Sequence, residues 1–206
     1  MDRRTVLQSL IAAVSLASVH SQSNVDGKKE GFLVHFDQNR NRAVLSSDHG
    51  RDEYAHFLVS GKDTNGALCI TGPQRSPSDV MRLNSVGPNP TSQTHRSGNV
   101  PLHIHYAQDE YWYTFSGEGL VQVGDQRFHA KAGDLVMGPR GVPHAPHGLG
   151  HWGLVTIWQP AGTMEEFFHE LAEMERKNGG KLPPQDEFAA LFKRHGMEIV
   201  GPPIQA

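Results

Sequence analysis

The chain of 206 residues has one cysteine, Cys69, so no disulfide can form within it and no site built mainly of thiolates can hold zinc or an iron–sulfur cluster. Flanked by Leu68 and Ile70, Cys69 reads as an ordinary strand thiol. Long basic runs are also missing, and the formal net charge is only −3. That leaves no electrostatic footprint for nucleic acid or an anionic membrane, so a small molecule is the expected partner. The length suits one domain with a sizeable core.

No apolar run reaches the roughly 20 residues that cross a bilayer. The nearest approach is the mostly apolar stretch from Val6 to Val19, which comes after Arg3 and Arg4 and gives way to small or polar residues. Residues 1–21 therefore have the pattern of a cleaved export signal rather than a membrane anchor, with Ala17 or Ser21 as candidate ends. The paired arginines with Thr5, Val6, Leu7 and Gln8 resemble a twin-arginine signal, although Asp2 precedes the pair and Val6 stands where that signal usually has Phe. A frayed N-terminal helix is the alternative, but the segment lacks the polar face that docking would require. The expected location is periplasmic or secreted, with no membrane contact after signal removal.

Beyond this segment the chain is patterned for strands. Phe32, Val34 and Phe36 alternate as a short edge strand would, and Tyr54 to Ser60 and Ala67 to Thr71 read as strands joined by a hairpin loop from Gly61 to Gly66. From Gly72 to Gly98 the chain is rich in Pro, Ser, Asn, Gly and Thr and reads as a long surface loop, in which His95 and Arg96 are solvated residues or line a pocket mouth. Further strands are expected at Leu120 to Val123 and Arg127 to Ala130, turning at Gly124-Asp125, then at Leu135 to Met137 and Trp152 to Trp158. Many short strands with turns between them indicate a sandwich or barrel.

Thr163 and Glu166 form a capping-box pattern ahead of Met164, Phe167, Phe168, Leu171 and Met174 at helical spacing, with Gly179 and Gly180 as the stop. A second helix over Gln185 to His195 presents Phe188, Leu191 and Phe192 and ends at Gly196. These apolar stripes are expected to pack on the strands or to form a homodimer interface, and His169 and His195 to lie on the helix surface.

The chemistry concentrates between Gly98 and Gly117, GNVPLHIHYAQDEYWYTFSG. Thirteen histidines yield about 0.8 His-x-His pairs by chance, but requiring a Glu five residues on and a Gly seven after that lowers the expectation to about 0.005. On a strand His103 and His105 project from the same face, and a turn over Tyr106 to Asp109 would return Glu110 to that side, giving three metal ligands from one hairpin. In the same strand phase Trp112 and Thr114 face inward, making Trp112 a candidate wall of a substrate pocket.

A second element, Gly133 to Gly148, places Pro139, Gly141 and His144 after a Gly turn and a strand. Together the two stretches, G-x4-H-x-H-x4-E-x6-G and G-x5-P-x-G-x2-H, resemble the signature motifs of the cupin superfamily, and the chain as a whole resembles quercetin 2,3-dioxygenase-like cupins. The first motif is one residue short between Gly98 and His103, and Gly148 stands where the second commonly ends in Asn; neither is a ligand position. The resemblance implies an all-β fold, a single double-sheet, jelly-roll-like cupin β-barrel over residues 22–160, with a C-terminal pair of α-helices over 161–206. It also implies that His103, His105, Glu110 and His144 hold one divalent transition metal, Fe, Mn, Ni, Cu or Zn, among which donor chemistry does not choose. His129, His147 and His151 are nearby in sequence, as surface residues or as partners that orient a ligand. The implied activity is a metal-dependent dioxygenase using O2 on a phenolic or enolisable α-hydroxycarbonyl substrate, flavonol-like ring cleavage included, with Glu110 as catalytic base. The alternatives are a non-oxidative isomerase or lyase on sugar acids and a non-catalytic periplasmic ligand-binding cupin.

Overall fold

The computed structural model describes residues 31–34, 42–46, 52–72 and 100–205. The segment read above as an export signal, most of the 72–98 stretch with His95 and Arg96, and the side chain of His151 lie outside the described residues. Residues 31–34 have no regular structure, so the alternation around Phe32 is not realised as a strand over the part described. No helix among the described residues is long and apolar enough to cross a membrane.

Among the described residues nine strands and two helices occur in chain order: β1 Arg42–Ser46, β2 Asp52–Val59, β3 Cys69–Thr71, β4 Pro101–His105, β5 Asp109–Val123, β6 Gln126–Lys131, β7 Leu135–Gly138, β8 His144–Gln159, α1 Met164–Lys177, α2 Gln185–Arg194 and β9 Met197–Pro203. All strand pairs are antiparallel. The hydrogen-bonded path runs β1-β2-β3-β8-β4-β9, with β5 joining β8 to β6 and β7. Closure into a barrel is not among these pairings; what they give is a mostly β structure of nine antiparallel strands with two helices near its C-terminus, and β9 added after them.

Two long strands organise this sheet. The C-terminal part of β8 lies between β3 and the start of β5, and its N-terminal end meets β4, His144 opposite His103. On its other edge β5 pairs first with β7, then with β6. Register shifts between Thr114 and Ser116 and between Gly117 and Gly119 interrupt the β5–β8 ladder midway, and irregularities of this kind bend strands. At Gly119 a Cβ would come within 2.5 Å of the Trp152 indole, so only glycine fits that close approach. The strand expected from Leu120 to Val123 is thus the end of one 15-residue strand that absorbs Gly117 and Gly119 as irregularities.

β9 is not legible in the sequence, because Gly201, Pro202 and Pro203 look like strand breakers. Among the described residues it pairs only with β4, at the end of the strand order, and an edge strand tolerates proline. Its register sets Ile199 opposite His103 and Met197 opposite His105.

Both helices bury the expected stripes. Met164, Phe167 and Leu171 of α1 and Leu191 and Phe192 of α2 share one cluster with Phe57, Cys69, Trp158, Ala161 and Met197. Thr163 is the N-cap of α1, but its hydroxyl makes no capping bond; it lies 2.9 Å from His195 Nδ1. His195 Nε2 is 2.9 Å from Glu170 Oε2, so this histidine is not a helix-surface residue: its imidazole bridges the end of α2 to the N-terminal half of α1. Burial pushes the Cys69 thiol up to about 12, with Glu165 and Glu110 adding to the effect, consistent with an inert strand thiol.

Leu191 is fully buried at the centre of the helix–sheet cluster. Leu191→Ala is expected to cost about 2–5 kcal/mol, read as a lowered urea midpoint with unchanged denaturant dependence.

Candidate metal centre

On β4, Pro101, His103 and His105 are buried while Leu102 and Ile104 are only half-buried, the period-two pattern expected of a strand. β5 repeats it through Glu110, Trp112 and Thr114. The two strands do not form the expected hairpin, however. β4 pairs with β8 and β9, and β5 with β6, β7 and β8, so β8 stands between them. Glu110 therefore reaches the imidazoles from a different part of the sheet: it lies opposite Trp158 near the C-terminal end of β8, whereas His103 lies opposite His144 at the N-terminal end. The fold, rather than one turn, brings the four side chains together.

One ligand-type atom from each of His103, His105, Glu110 and His144 lies within 4.8 Å of the others, and all four residues are buried. Glu110 Oε2 is 3.1 Å from His105 Nε2, 3.3 Å from His144 Nε2 and 3.9 Å from His103 Nε2. His103 Nε2 and His105 Nε2 are 3.2 Å apart. Atoms bound about 2.1 Å from one ion stand about 3.0 Å apart when adjacent and about 4.2 Å when opposite, so these separations suit a shared metal. Among the described residues Glu110 Oε2 and His144 Nε2 have no hydrogen-bond partner despite being buried. A carboxylate oxygen and an imidazole nitrogen left bare together are costly in a protein interior unless a cation satisfies both. The donor set of three nitrogens and one oxygen fits a divalent transition metal.

Neighbouring groups fix these ligands. His103 Nδ1 donates to the Pro101 carbonyl at 2.8 Å, which leaves the Nε2 lone pair facing the cluster. Gly138 lies opposite Glu110, and a Cβ there would press on Trp112 at 2.8 Å and His144 Nδ1 at 3.0 Å. The loop ahead of His144 is pinned twice. Gly141 N–H donates to the His105 carbonyl at 2.7 Å, and Arg140 grips Asp109 with its backbone N–H at 2.9 Å and its guanidinium at 3.0 and 2.7 Å. That pairing holds the Asp109 carboxyl down at about 2. Asp109 and Arg140 are missed by sequence reasoning, which sees each as an ordinary turn residue; the available signal is their positions beside Glu110 and Pro139 in the two motifs.

Trp112 is almost wholly buried, with its ring edge-on to His144 at a centroid distance of 5.2 Å, inside a cluster with Val121, Val123, Ala130, Val136 and Trp152. Thr114, also inward, accepts the Trp152 indole N–H at 3.0 Å. Phe192 of α2 meets His103 edge-on at 5.5 Å, which brings the helices to the border of the cluster. His129 is half-exposed and pairs with Glu118 at 2.8 Å on the β5–β6 ladder, away from the four ligands. His147 sits opposite Leu120 with Nδ1 buried and without a partner among the described residues, and it belongs to no described metal cluster.

Charge in the cluster is biased toward the metal-ready form. Burial, together with the adjoining His105 and His144, pushes His103 down to about 3 against the pull of Glu110. For Glu110 burial acts upward, but the facing His105 and His144 outweigh it and hold the carboxyl well below the usual range. A neutral His103 beside an ionised Glu110 is the protonation state that metal binding requires of these two groups.

With this geometry in view, residues 93–160 match the Cupin_2 family, cupin domain. A curated relative, the uncharacterized protein MJ1618 of Methanocaldococcus jannaschii, is 34% identical over 50 residues, which are 24% of this chain and 40% of that protein. The chain thus matches well under half the length of this relative. Among solved structures, it is similar to a predicted oxalate decarboxylase from Thermotoga maritima, with 17% identity over 62% of this chain and 99% of that one and a TM-score of 0.42. KdgF from Halomonas sp. gives 13% identity over 56% and 92% of the two chains and a TM-score of 0.37. A putative sugar phosphate isomerase from Acidithiobacillus ferrooxidans gives 16% identity over 54% and 61% and a TM-score of 0.34.

Two outcomes are expected of this site. His144→Ala removes a ligand nitrogen that no other described group replaces, so elemental analysis of the purified variant is expected to show metal falling from about one ion per chain to a small fraction of it. In the metal-free protein the depressed His103 makes the unfolded chain bind more protons than the folded one between the ordinary value of 6.5 and about 3. Stability is therefore fully present above pH 6.5 and declines as pH falls through that window, by about 1.4 kcal/mol per pH unit, with Glu110 steepening the loss below its ordinary range. Urea midpoints measured from pH 7 to pH 4 check this; a rising midpoint on acidification would contradict it.

Proposed function

We propose that this chain is a metal-dependent dioxygenase acting on a small phenolic or enolisable α-hydroxycarbonyl compound, exported through the segment at residues 1–21. The observation that carries this reading is a buried carboxylate, Glu110, set among three imidazoles with its Oε2 unsatisfied. The reaction class extends the resemblance of the two motifs to quercetin 2,3-dioxygenase-like cupins, and the cupin match over residues 93–160 supports the fold that this resemblance needs.

His103, His105, Glu110 and His144 would hold a divalent metal, which would supply the Lewis acidity that makes a substrate hydroxyl more acidic. The residues do the rest. Glu110 Oε2 accepts the substrate's hydroxyl proton, a role open to a carboxylate kept ionised in the interior. His103 is held by the Pro101 carbonyl, so the cluster keeps its shape as Glu110 changes protonation. Trp112 backs His144 with an apolar ring, and Phe192 covers His103, excluding water from the imidazoles. Both oxygen atoms of O2 enter the product and the substrate supplies the electrons, so no external reductant is needed.

Purification without added metal, elemental analysis, and oxygen uptake against a panel of phenolic and enediol compounds test the reading. Oxygen consumed in a 1:1 ratio with substrate supports it. Conversion of a sugar acid without oxygen uptake would assign an isomerase or lyase, and binding without turnover a ligand-binding protein. Within the dioxygenase reading, Glu110→Gln is expected to preserve the fold and lower kcat by about 10²–10⁴-fold; unchanged turnover would refute the role given to Glu110.

A further inference from the structure

The apolar stripes of both helices are taken up in the helix–sheet cluster, with Phe168 and Phe188 packed against it. Large apolar side chains are exposed elsewhere, on the sheet. Tyr113 and Phe115 of β5 are 40% and 38% exposed, and Leu135 and Met137 of β7 are 58% and 39% exposed.

Strand register joins these residues into one surface. Met137, Tyr111, Ile157 and Ile70 stand opposite one another in turn across β7, β5, β8 and β3, and Leu135, Tyr113 and Val155 form the next rung. Directly opposed residues share a face, as do residues two apart on a strand. The rung between them, Val136, Trp112 and Thr156, is buried, so the two apolar rungs point outward from the sheet. No residue of either outward rung belongs to a core cluster, and none is charged. Charge returns at the margins: Asp109 pairs with Arg140 beyond Tyr111, and Glu118 with His129 beyond Phe115. A solvated sheet face alternates apolar-in with polar-out. An apolar centre between polar margins is instead the anatomy of a protein interface.

The size of the patch agrees with that reading. At about 200 Å² for each large side chain, the four exposed residues present roughly 350 Å², and the half-buried Tyr111, Val155, Ile157 and Ile70 bring the apolar surface to roughly 500 Å². A standard interface covers about 800 Å² of each partner, and between identical copies about 65% of it is apolar, again roughly 500 Å².

Composition selects the occupant. The two rungs have no charge with which to single out a different protein, whereas two such faces match each other as they stand. Laid sheet on sheet they would pack at about 10 Å, in the manner of the two layers of a sandwich. A two-fold axis covers the face on both partners, while a head-to-tail contact would need a second apolar face and leave one exposed at each end.

We propose that the chain forms a two-fold homodimer through the outward face of β3, β5, β7 and β8, with the rungs of Tyr111 and Tyr113 at its centre. The helices take no part in the contact. Tyr111 and Tyr113 alternate along β5 with the inward Glu110 and Trp112, so the contact braces from outside the strand that carries the buried carboxylate.

Sedimentation equilibrium of the full chain from about 0.1 to 100 μM tests this, and a monomer–dimer equilibrium with a Kd of about 10 μM or tighter is expected. Leu135→Glu sets a charge within the face and is expected to weaken the dimer at least about 30-fold. Met137→Gln keeps the size of the side chain and adds no charge, and is expected to weaken it about fivefold. Val200→Glu, on an exposed side chain of β9 outside the face, is expected to change Kd by less than about twofold. Circular dichroism and urea midpoints report whether each variant is folded, and Met137→Gln decides if Leu135→Glu is not. A monomer across the whole range overturns the proposal and assigns the face to another segment of the chain or to a different protein. Open-ended association overturns it too, as does a dimer that the folded face variants leave intact or that Val200→Glu weakens equally.

Discussion

The structure depends on burying four polar side chains at one point without pairing them fully to one another. His103, His105, Glu110 and His144 are each at most 5% exposed. Their hydrogen bonds to the rest of the protein are few: the His103–Pro101 bond is present, while His105 Nδ1 and both ring nitrogens of His144 have no partner among the described residues. Such an interior is unfavourable by several kcal/mol on desolvation alone. The surrounding architecture is arranged to keep it in place. Apolar side chains from β5, β6 and β7 back one side, the helix cluster closes another, and backbone contacts to Pro101 and Gly141 hold the ligand-bearing segments. Stability elsewhere offsets a site kept ready for a cation.

How much of this is legible in the sequence depends on the range of the interaction. Period-two burial on β4 and β5 can be read from His103, His105, Glu110 and Trp112, because the alternation of a strand is a local property. The helices are legible for the same reason, their apolar residues recurring at helical spacing. Connectivity is not. Antiparallel return after a short turn is the usual outcome for consecutive strands, and that expectation makes β4 and β5 a hairpin; insertion of β8 between them is settled by pairing across some forty residues of chain. β9 is hidden because local propensity scores Gly201 and the two prolines against a strand, while its pairing with β4 comes from tertiary packing. His195 shows the same limit: at a helix C-terminus it looks solvated, and only the approach of α1 supplies Thr163 and Glu170.

The ligand identities stand out despite this, since the motif spacing encodes them without reference to which strands pair. What the motifs do not convey is the support around them. The Asp109–Arg140 pair joins the strand that carries Glu110 to the loop that leads into His144 through three hydrogen bonds, one from the backbone. Both side chains are partly solvated, so the pair is of modest energetic weight by itself. Its value is geometric, because a bidentate guanidinium fixes orientation as well as distance.

β8 places His144 at its first position and Trp158 next to its last, on rungs that it shares with His103 and Glu110 respectively. Side chains on a strand change face with every residue, so inserting or deleting one residue anywhere between them would turn one of the two away from the interior. Changes of two residues would restore the facing but shift the rung. The strand therefore acts as a ruler for the protein, and length variation among related chains should be excluded from β8 and displaced into the connections outside it, such as the β2–β3 loop, where an added residue leaves the four clustered side chains in register.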